Sequence, residues 1–255
     1  MFRPRVIPLL LLKNNGLVKT IKFKNSKYIG DPINAVRIFN AKETDELIFL
    51  DITATKEKRK ISLELLAKIA DEAFMPFSAG GGISSLDDIK KLINTGVEKV
   101  VINSYAIEHP EFIKLASDTF GSSTIIISID VKKKMLGGYE VYSHSAAKST
   151  GIDPFMYAEQ CANYGAGEIL INSIERDGIM EGYDIELIKK ISNSVSIPVI
   201  ACGGAGKLSD LSEAYYKGNA SAVAAGSLFV FHGPRRAVLV NYPSKEELNN
   251  IVSVI

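Results

Sequence analysis

The sequence predicts an α/β fold, a single (β/α)8 TIM barrel built from two similar half-barrels. Three observations carry that expectation. Eight short apolar runs alternate with helical patterns along the 255 residues. The runs are continuous, not alternating, as parallel strands buried on both faces require. Landmark residues also recur at one fixed offset, dividing a domain of 1–255 at approximately 1–121 and 122–255. Eight βα units in about 250 residues suit a closed barrel, with a doubly wound open sheet as the alternative.

The first expected strand is RVIPLLLL, 5–12. Its apolar run is only seven residues, interrupted by Pro8, and no small-residue cleavage site follows. It is too short to span a bilayer and reads as a core strand. The following strands are 46–52 (ELIFLDI), 74–80 (FMPFSAG) and 99–104 (KVVINS). The second half supplies 124–130 (TIIISID), 168–173 (EILINS), 197–203 (IPVIACG) and 221–227 (SAVAAGS). Between them, Asp31 before Pro32 and Asp153 before Pro154 each set an N-cap and a first-turn proline. SLELLAKIADEA and SSLDDIKKLIN open on serine and keep one apolar face. The last helix begins PSKEELNNIV, with a capping box of Ser244 and Glu247.

An offset of 122 takes Asp31-Pro32 to Asp153-Pro154, Glu46 to Glu168, Pro76 to Pro198, and Gly81-Gly82 to Gly203-Gly204. The first and fifth strands are therefore counterparts. Leu11 stands where the fifth strand carries Asp130.

Composition narrows the partners. The chain is 46% hydrophobic and 23% charged, with a net charge of +1. No one-signed field draws in nucleic acid or an anionic membrane. Cys161 and Cys202 suggest neither a disulfide framework nor a metal site, so a reduced, cytoplasmic setting is expected. His109, His144 and His232 have no partners at metal or triad spacing, and no nucleotide, haem or zinc motif is present. Neither metal nor cofactor is expected.

In a barrel the chemistry lies at the C-terminal ends of the strands. AGGGISS after the third strand and INS after the fourth bring Gly81, Gly82, Asn103 and Ser104 to that face. CGGAG and AAGS repeat the arrangement with Gly203, Gly204, Gly226 and Ser227. Backbone N–H groups at such glycines, with a helix N-terminus behind them, suit an oxyanion. Glycines there also serve as tight turns, but the duplicated pair favours two phosphate cradles and a ligand held at both ends. The strand-end carboxylates Asp51 and Asp130 are acid–base candidates. Asp177, beside Gly178 in ERDGIMEGYD, lies farther into a loop and caps or positions.

DELIFLDITAT (45–55), PFSAGGGISS (76–85), KVVINS (99–104), SIDVK (128–132), GAGEILINSIERDGIMEGYD (165–184) and IPVIACGGAG (197–206) together resemble the cyclase subunit of imidazole glycerol phosphate synthase, the HisF family. The resemblance runs along nearly the whole chain. It implies a glutaminase partner that releases ammonia at the barrel bottom and a bis-phosphorylated aminoimidazole carboxamide ribonucleotide as the phosphorylated ligand. It also implies that Arg5, Glu46, Lys99 and Glu168, each at a strand start, form a gate over an ammonia passage, with Glu98 on the glutaminase interface. Lys19 and Phe23 match the family's loop after the first strand. Two departures stand out. The family carries an aspartate where Leu11 stands, and the ending LFVFHGPRRAVLVNYPSKEEL, with Arg235-Arg236, is unlike that of the histidine-pathway proteins. These features resemble a divergent branch that supplies ammonia to N-acetyl sugar amidotransferases of bacterial surface polysaccharide synthesis. The expected role is thus ammonia conduction for sugar amidination, with a working histidine-pathway cyclase or a non-catalytic glutaminase scaffold as alternatives.

Overall fold

The computed structural model describes residues 3–135 and 137–251; the outermost residues of the predicted domain lie outside them. Eight parallel strands form the barrel wall: β1 (Arg5–Lys13), β2 (Leu47–Asp51), β3 (Phe77–Gly80), β4 (Lys99–Ile102), β5 (Ile125–Lys133), β6 (Glu168–Ser173), β7 (Val199–Cys202) and β8 (Ala222–Ala225). Each pairs in parallel with the next, and β8 closes on β1 through Arg5↔Ala222 to Pro8↔Ala225. The closed barrel is the one predicted; the open sheet is excluded.

Alternation along each strand sorts the core into two layers. On β1, Val6, Leu10 and Leu12 pack outward beneath the helices. Ile7, Leu9 and Leu11 turn inward to a separate cluster on the barrel axis. A run of seven apolar residues thus serves both faces, the burden of a parallel strand.

The helices are α1 (Pro32–Ala41), α2 (Leu63–Glu72), α3 (Leu86–Asn94), α4 (Glu111–Phe120), α5 (Pro154–Asn163), α6 (Ile185–Ser194), α7 (Leu208–Tyr216) and α8 (Lys245–Asn250). Their starts follow the predicted chemistry. Asp31 accepts from Asn34 N at 2.9 Å, and Asp153 accepts from both Phe155 N and Met156 N at 2.9 and 3.1 Å. Ser62 and Ser85 cap α2 and α3. Ser244 and Glu247 close the capping box of α8.

The structure corrects several expectations. The strand expected at 74–80 starts only at Phe77, because Pro76 has no N–H to pair and Phe74 is 90% exposed. The strand expected at 99–104 ends at Ile102, and Ser104 opens a short helix, Ser104–Glu108. Its counterpart, Ser227–Val230, follows β8. Three antiparallel additions had no readable signal: a ribbon of Gly16–Ile21 and Lys24–Gly30 on β1, Tyr139–Ser143 with Lys148–Ser149 on β5, and Phe231–His232 with Ala237–Val238. The segment Lys24–Gly30 is mostly exposed and polar, so it lacks the apolar period that marks a strand. His232 is in that last hairpin. The Arg235-Arg236 pair divides in the structure. The Arg236 guanidinium donates to Gly178 O at 2.9 Å and Ile179 O at 3.0 Å, leaving only Arg235 exposed.

The caps give a stability test. Asp153→Ala leaves two N–H groups of α5 without their acceptor and lowers unfolding free energy by about 1 kcal/mol, measured by urea denaturation. Asp31→Ala, which frees one N–H, costs less.

Candidate active site

A cavity of about 390 Å³ opens at the C-terminal ends of the strands. It brings together Leu11, Lys19, Asp51, Gly81, Gly82, Asn103, Ser104, Asp130, Asp177, Gly178, Gly203, Gly204, Gly226 and Ser227, all of them singled out from sequence. The residues that β3 and β4 deliver form one cluster and those from β7 and β8 another.

In the first cluster, Gly82 has φ +73 and the Arg59 carbonyl lies where a Cβ would project, so only glycine fits. Lys60 Nζ reaches Gly82 O at 2.8 Å, Ser84 Oγ at 2.5 Å and Asp88 Oδ2 at 2.7 Å. Asn103 Nδ2 donates to Ser128 O at 2.9 Å and Asp130 Oδ2 at 3.1 Å. Ser104 Oγ donates to Asn103 Oδ1 at 3.1 Å and accepts from His144 N at 2.9 Å. Asp51 is not a free base. Arg59 holds it at 2.5 and 3.2 Å, and the N–H groups of Thr53 and Ala54 bond its Oδ1.

In the second cluster Gly226 lies against the Lys19 ammonium, which would occupy the place of a Cβ. Lys19 Nζ donates to Leu9 O at 2.6 Å. Asp177 fastens the ribbon that carries Lys19: its carboxylate accepts from Thr20 Oγ1 at 2.7 Å and Phe23 N at 3.2 Å, and its carbonyl accepts from Lys22 N at 2.9 Å. In this arrangement Asp177 fixes the ribbon in place.

The electrostatics are those of a buried site. Burial raises the Asp130 carboxyl to about 7, helped by the negative charge of Asp177 and opposed by the Asn103 hydrogen bond. Burial lowers the Lys19 ammonium to about 8 against the pull of Asp177. Burial also raises Asp177, and takes the Cys202 thiol up to about 12, so that thiol is no nucleophile at neutral pH. Leu11 lines the same cavity and is 9% exposed. Its register partner is Leu50, whereas that of Asp130 is Asn172, 122 positions beyond Leu50. The two inward side chains are thus equivalent in place and opposite in chemistry.

At the other end of the axis the four strand-start charges meet. Arg5 Nη1 lies 2.5 Å from Glu46 Oε2 and its Nη2 2.7 Å from Glu168 Oε2. Lys99 Nζ lies 2.6 Å from Glu168 Oε1. Ser78 Oγ donates to Glu46 Oε1 at 3.0 Å. Glu98 is exposed beside this cluster. Sequence reasoning passed over Ser78, Arg59 and Lys60, it placed Asn172 at a strand end without giving it a role, and it set His144 aside although that residue lines the cavity. EKRK (57–60), in the loop after the second strand, was a readable basic signal.

Asp130 makes stability depend on pH. An unfolded aspartate titrates near 3.9, so between there and about 7 the folded chain keeps a proton that the unfolded chain has released. That contribution is therefore greatest in acid and declines as pH rises toward about 7. Asp130→Asn removes it. Relative to the unaltered chain, the variant gains about 2 kcal/mol of unfolding free energy between pH 5 and pH 8, read by urea denaturation at each pH.

The model of the histidine biosynthesis protein family matches residues 5–234, which hold both glycine clusters, the mouth and the lower charges and end just before Arg235. A Pseudomonas aeruginosa protein provisionally named imidazole glycerol phosphate synthase subunit hisF2 is 49% identical over 249 residues, 98% of this chain and 99% of its own. The HisF subunit so named in Leptospira interrogans is 47% identical over 97% of this chain and 98% of its own. The hisF3 subunit so named in Vibrio vulnificus is 41% identical over 97% and 95%. With the closed barrel, the mouth and these matches in hand, the chain belongs to the histidine biosynthesis protein family, as a HisF-like barrel.

Proposed function

We propose that this chain is the synthase subunit of a glutamine-dependent amidotransferase, conducting ammonia from a glutaminase through the barrel for amidination of an N-acetyl sugar. One observation supports this above others: the paired charges of Arg5, Glu46, Lys99 and Glu168 persist at the lower opening while the mouth carries Leu11 in place of an acid. The route is apolar above the charges. Ile7, Ile48, Ile126, Leu170 and Ile200 form the inner layer, all at 0% exposure. Such a layer rejects ammonium and admits the neutral molecule, since an unpaired ion pays a large desolvation penalty there. The ion pairs close the lower end, so entry requires Arg5 or Lys99 to swing aside. Glu98, exposed on the same rim, offers a carboxylate to a basic group of the glutaminase. A separate amidotransferase then activates the sugar.

The second reading is a cyclase and lyase of histidine biosynthesis, acting on the bis-phosphorylated aminoimidazole carboxamide ribonucleotide. It is favoured by Asp130, whose carboxyl at about 7 suits proton transfer at neutral pH. Loss of one acid–base group commonly costs ~10²–10⁴-fold in rate, which is the weight Leu11 carries against it.

Growth of a histidine auxotroph lacking its own cyclase separates the two. The chain is expected not to restore growth; robust rescue establishes the cyclase instead. Conduction is tested in the complex with glutaminase. Lys99→Glu sets a third carboxylate beside Glu46 and Glu168 with Arg5 as their single cation. Transfer of glutamine-derived ¹⁵N into product is expected to fall at least tenfold while ammonium-supported turnover is unchanged. Equal transfer by the variant defeats the conduction role.

A further inference from the structure

The ribbon that carries Lys19 turns on residues ill suited to its shape. Ile21 pairs with Lys24, so Lys22 and Phe23 alone make the turn, at φ 52 and 60. Two-residue turns with both residues left-handed favour asparagine and glycine, and side chains such as lysine and phenylalanine resist that region. Hydrogen bonds from Thr20 Oγ1, Lys22 N and Phe23 N hold the turn, and all three go to Asp177. The two residues after Asp177 are held in their turn by the C-terminal hairpin. Arg236 donates from Nη1 to Gly178 O at 2.9 Å and from Nη2 to Ile179 O at 3.0 Å. Gly178 lies so close to the ribbon that a Cβ there would stand 2.1 Å from Thr20 O. Arg236 itself sits at φ 50, a place in a hairpin turn that glycine or asparagine fills more readily. The ribbon also touches the hairpin directly: Lys27 Nζ lies over the Phe231 ring, 5.7 Å from its centre.

We infer that Arg236 is a positioning residue: by pinning the carbonyls of Gly178 and Ile179 it fixes Asp177, and through Asp177 the ribbon that keeps the Lys19 ammonium at the mouth. A two-stranded ribbon is marginal on its own. This one is joined to β1 only through Leu11↔Val18, Leu12↔Leu17 and Lys13↔Gly16. Its outer strand, Lys24–Gly30, is mostly exposed. The tip thus depends on Asp177, and Asp177 on a loop that must not recoil. A guanidinium suits that task, because its rigid fork can bond two successive carbonyls at once. On the inner strand of the ribbon, Lys19 Nζ bonds Leu9 O at 2.6 Å and lies against Gly226. The role holds for either use of the mouth, since it concerns only what keeps Lys19 in place.

The test follows the Lys19 side chain by NMR in the full chain with isotope-labelled lysine, its signal assigned by loss in Lys19→Met. Limited trypsin digestion after Lys22 and Lys24 reports on the ribbon tip. In the unaltered chain Lys19 is expected to titrate at about 8. In Arg236→Ala the ribbon lifts and water reaches the ammonium. Its titration is then expected to rise by at least about one pH unit, toward the ordinary lysine value of about 10.4. Cleavage at the tip is expected to quicken at least tenfold. Arg236→Lys can bond one carbonyl but not span both, and is expected to fall between. Asp153→Ala, which weakens α5 and removes none of these contacts, is expected to change neither reading. The inference falls if Arg236→Ala leaves the Lys19 titration and the cleavage rate as they were. It also falls if Asp153→Ala moves both readings as far, which marks a general loosening. A Lys19 that titrates in the ordinary lysine range in the unaltered chain overturns it as well, because the ribbon is then not holding it in place. If Arg236→Ala does not fold, Arg236→Lys decides: a raised Lys19 titration upholds the role and an unchanged one overturns it.

Discussion

A charge inside a closed barrel has to be matched where it stands, and Glu168 shows how much of this chain answers to that constraint. It is 7% exposed, yet each of its carboxylate oxygens meets a cation, Arg5 from β1 and Lys99 from β4. Arg5 reaches on to Glu46, at the start of β2, and Ser78 of β3 satisfies that second acid. Five strands are thereby tied at the lower end by groups as much as 163 residues apart in sequence. Removing one partner from a buried pair costs about 3–5 kcal/mol, because the charge left behind has no water to turn to. The arrangement is self-consistent only while it is complete.

The upper end solves the same problem by leaving it partly unsolved. Asp130 has one side-chain donor, Asn103, and Lys19 has one backbone acceptor, the Leu9 carbonyl. Burial therefore moves both toward neutrality, to about 7 and about 8. Groups with displaced titration gather where chemistry or ligand recognition occurs. The contrast with the fully paired lower charges is what distinguishes a place built to hold from a place built to respond. Asp177 links the two tendencies: it is spent on the ribbon bearing Lys19, while its charge raises Asp130.

Most of the barrel could be read from sequence because its signals are local. An apolar run, an Asp-Pro start and a serine cap each act within a few residues, and they appear where expected at β1, α1, α5 and α2. The strand-end positions followed from the fold class itself, which is why the cavity gathers the glycines and Asp130. What was missed depends on pairings across space. The segment Lys24–Gly30 becomes a strand only because Gly16–Ile21 lies beside it. Asp51 looked like a free acid until Arg59, eight residues on, folded back over it. Arg236 stood out only as a departure from the family's ending; its carbonyl partners in the 176–182 loop lie far away in sequence.

Leu11 also shapes how its acidic counterpart titrates. Two facing carboxylates in a buried mouth would raise one another, and the pair would titrate as a unit. With leucine there, Asp130 titrates against Asp177 alone among the acids that act on it. A single carboxyl near neutrality supplies one acid–base group at one position, where two facing acids would supply two. A ring closure coupled to bond cleavage gains from an acid and a base placed apart, whereas handing a neutral amine onward needs at most one proton acceptor. The apolar half of the mouth is thus consistent with the proposed conduction role on its own terms. On that proposal, a neutral amine arriving at the mouth would meet leucine on one side and the hydrogen-bonding groups of Asp130 and Asn172 on the other, with no second acid to hold it as an ion pair.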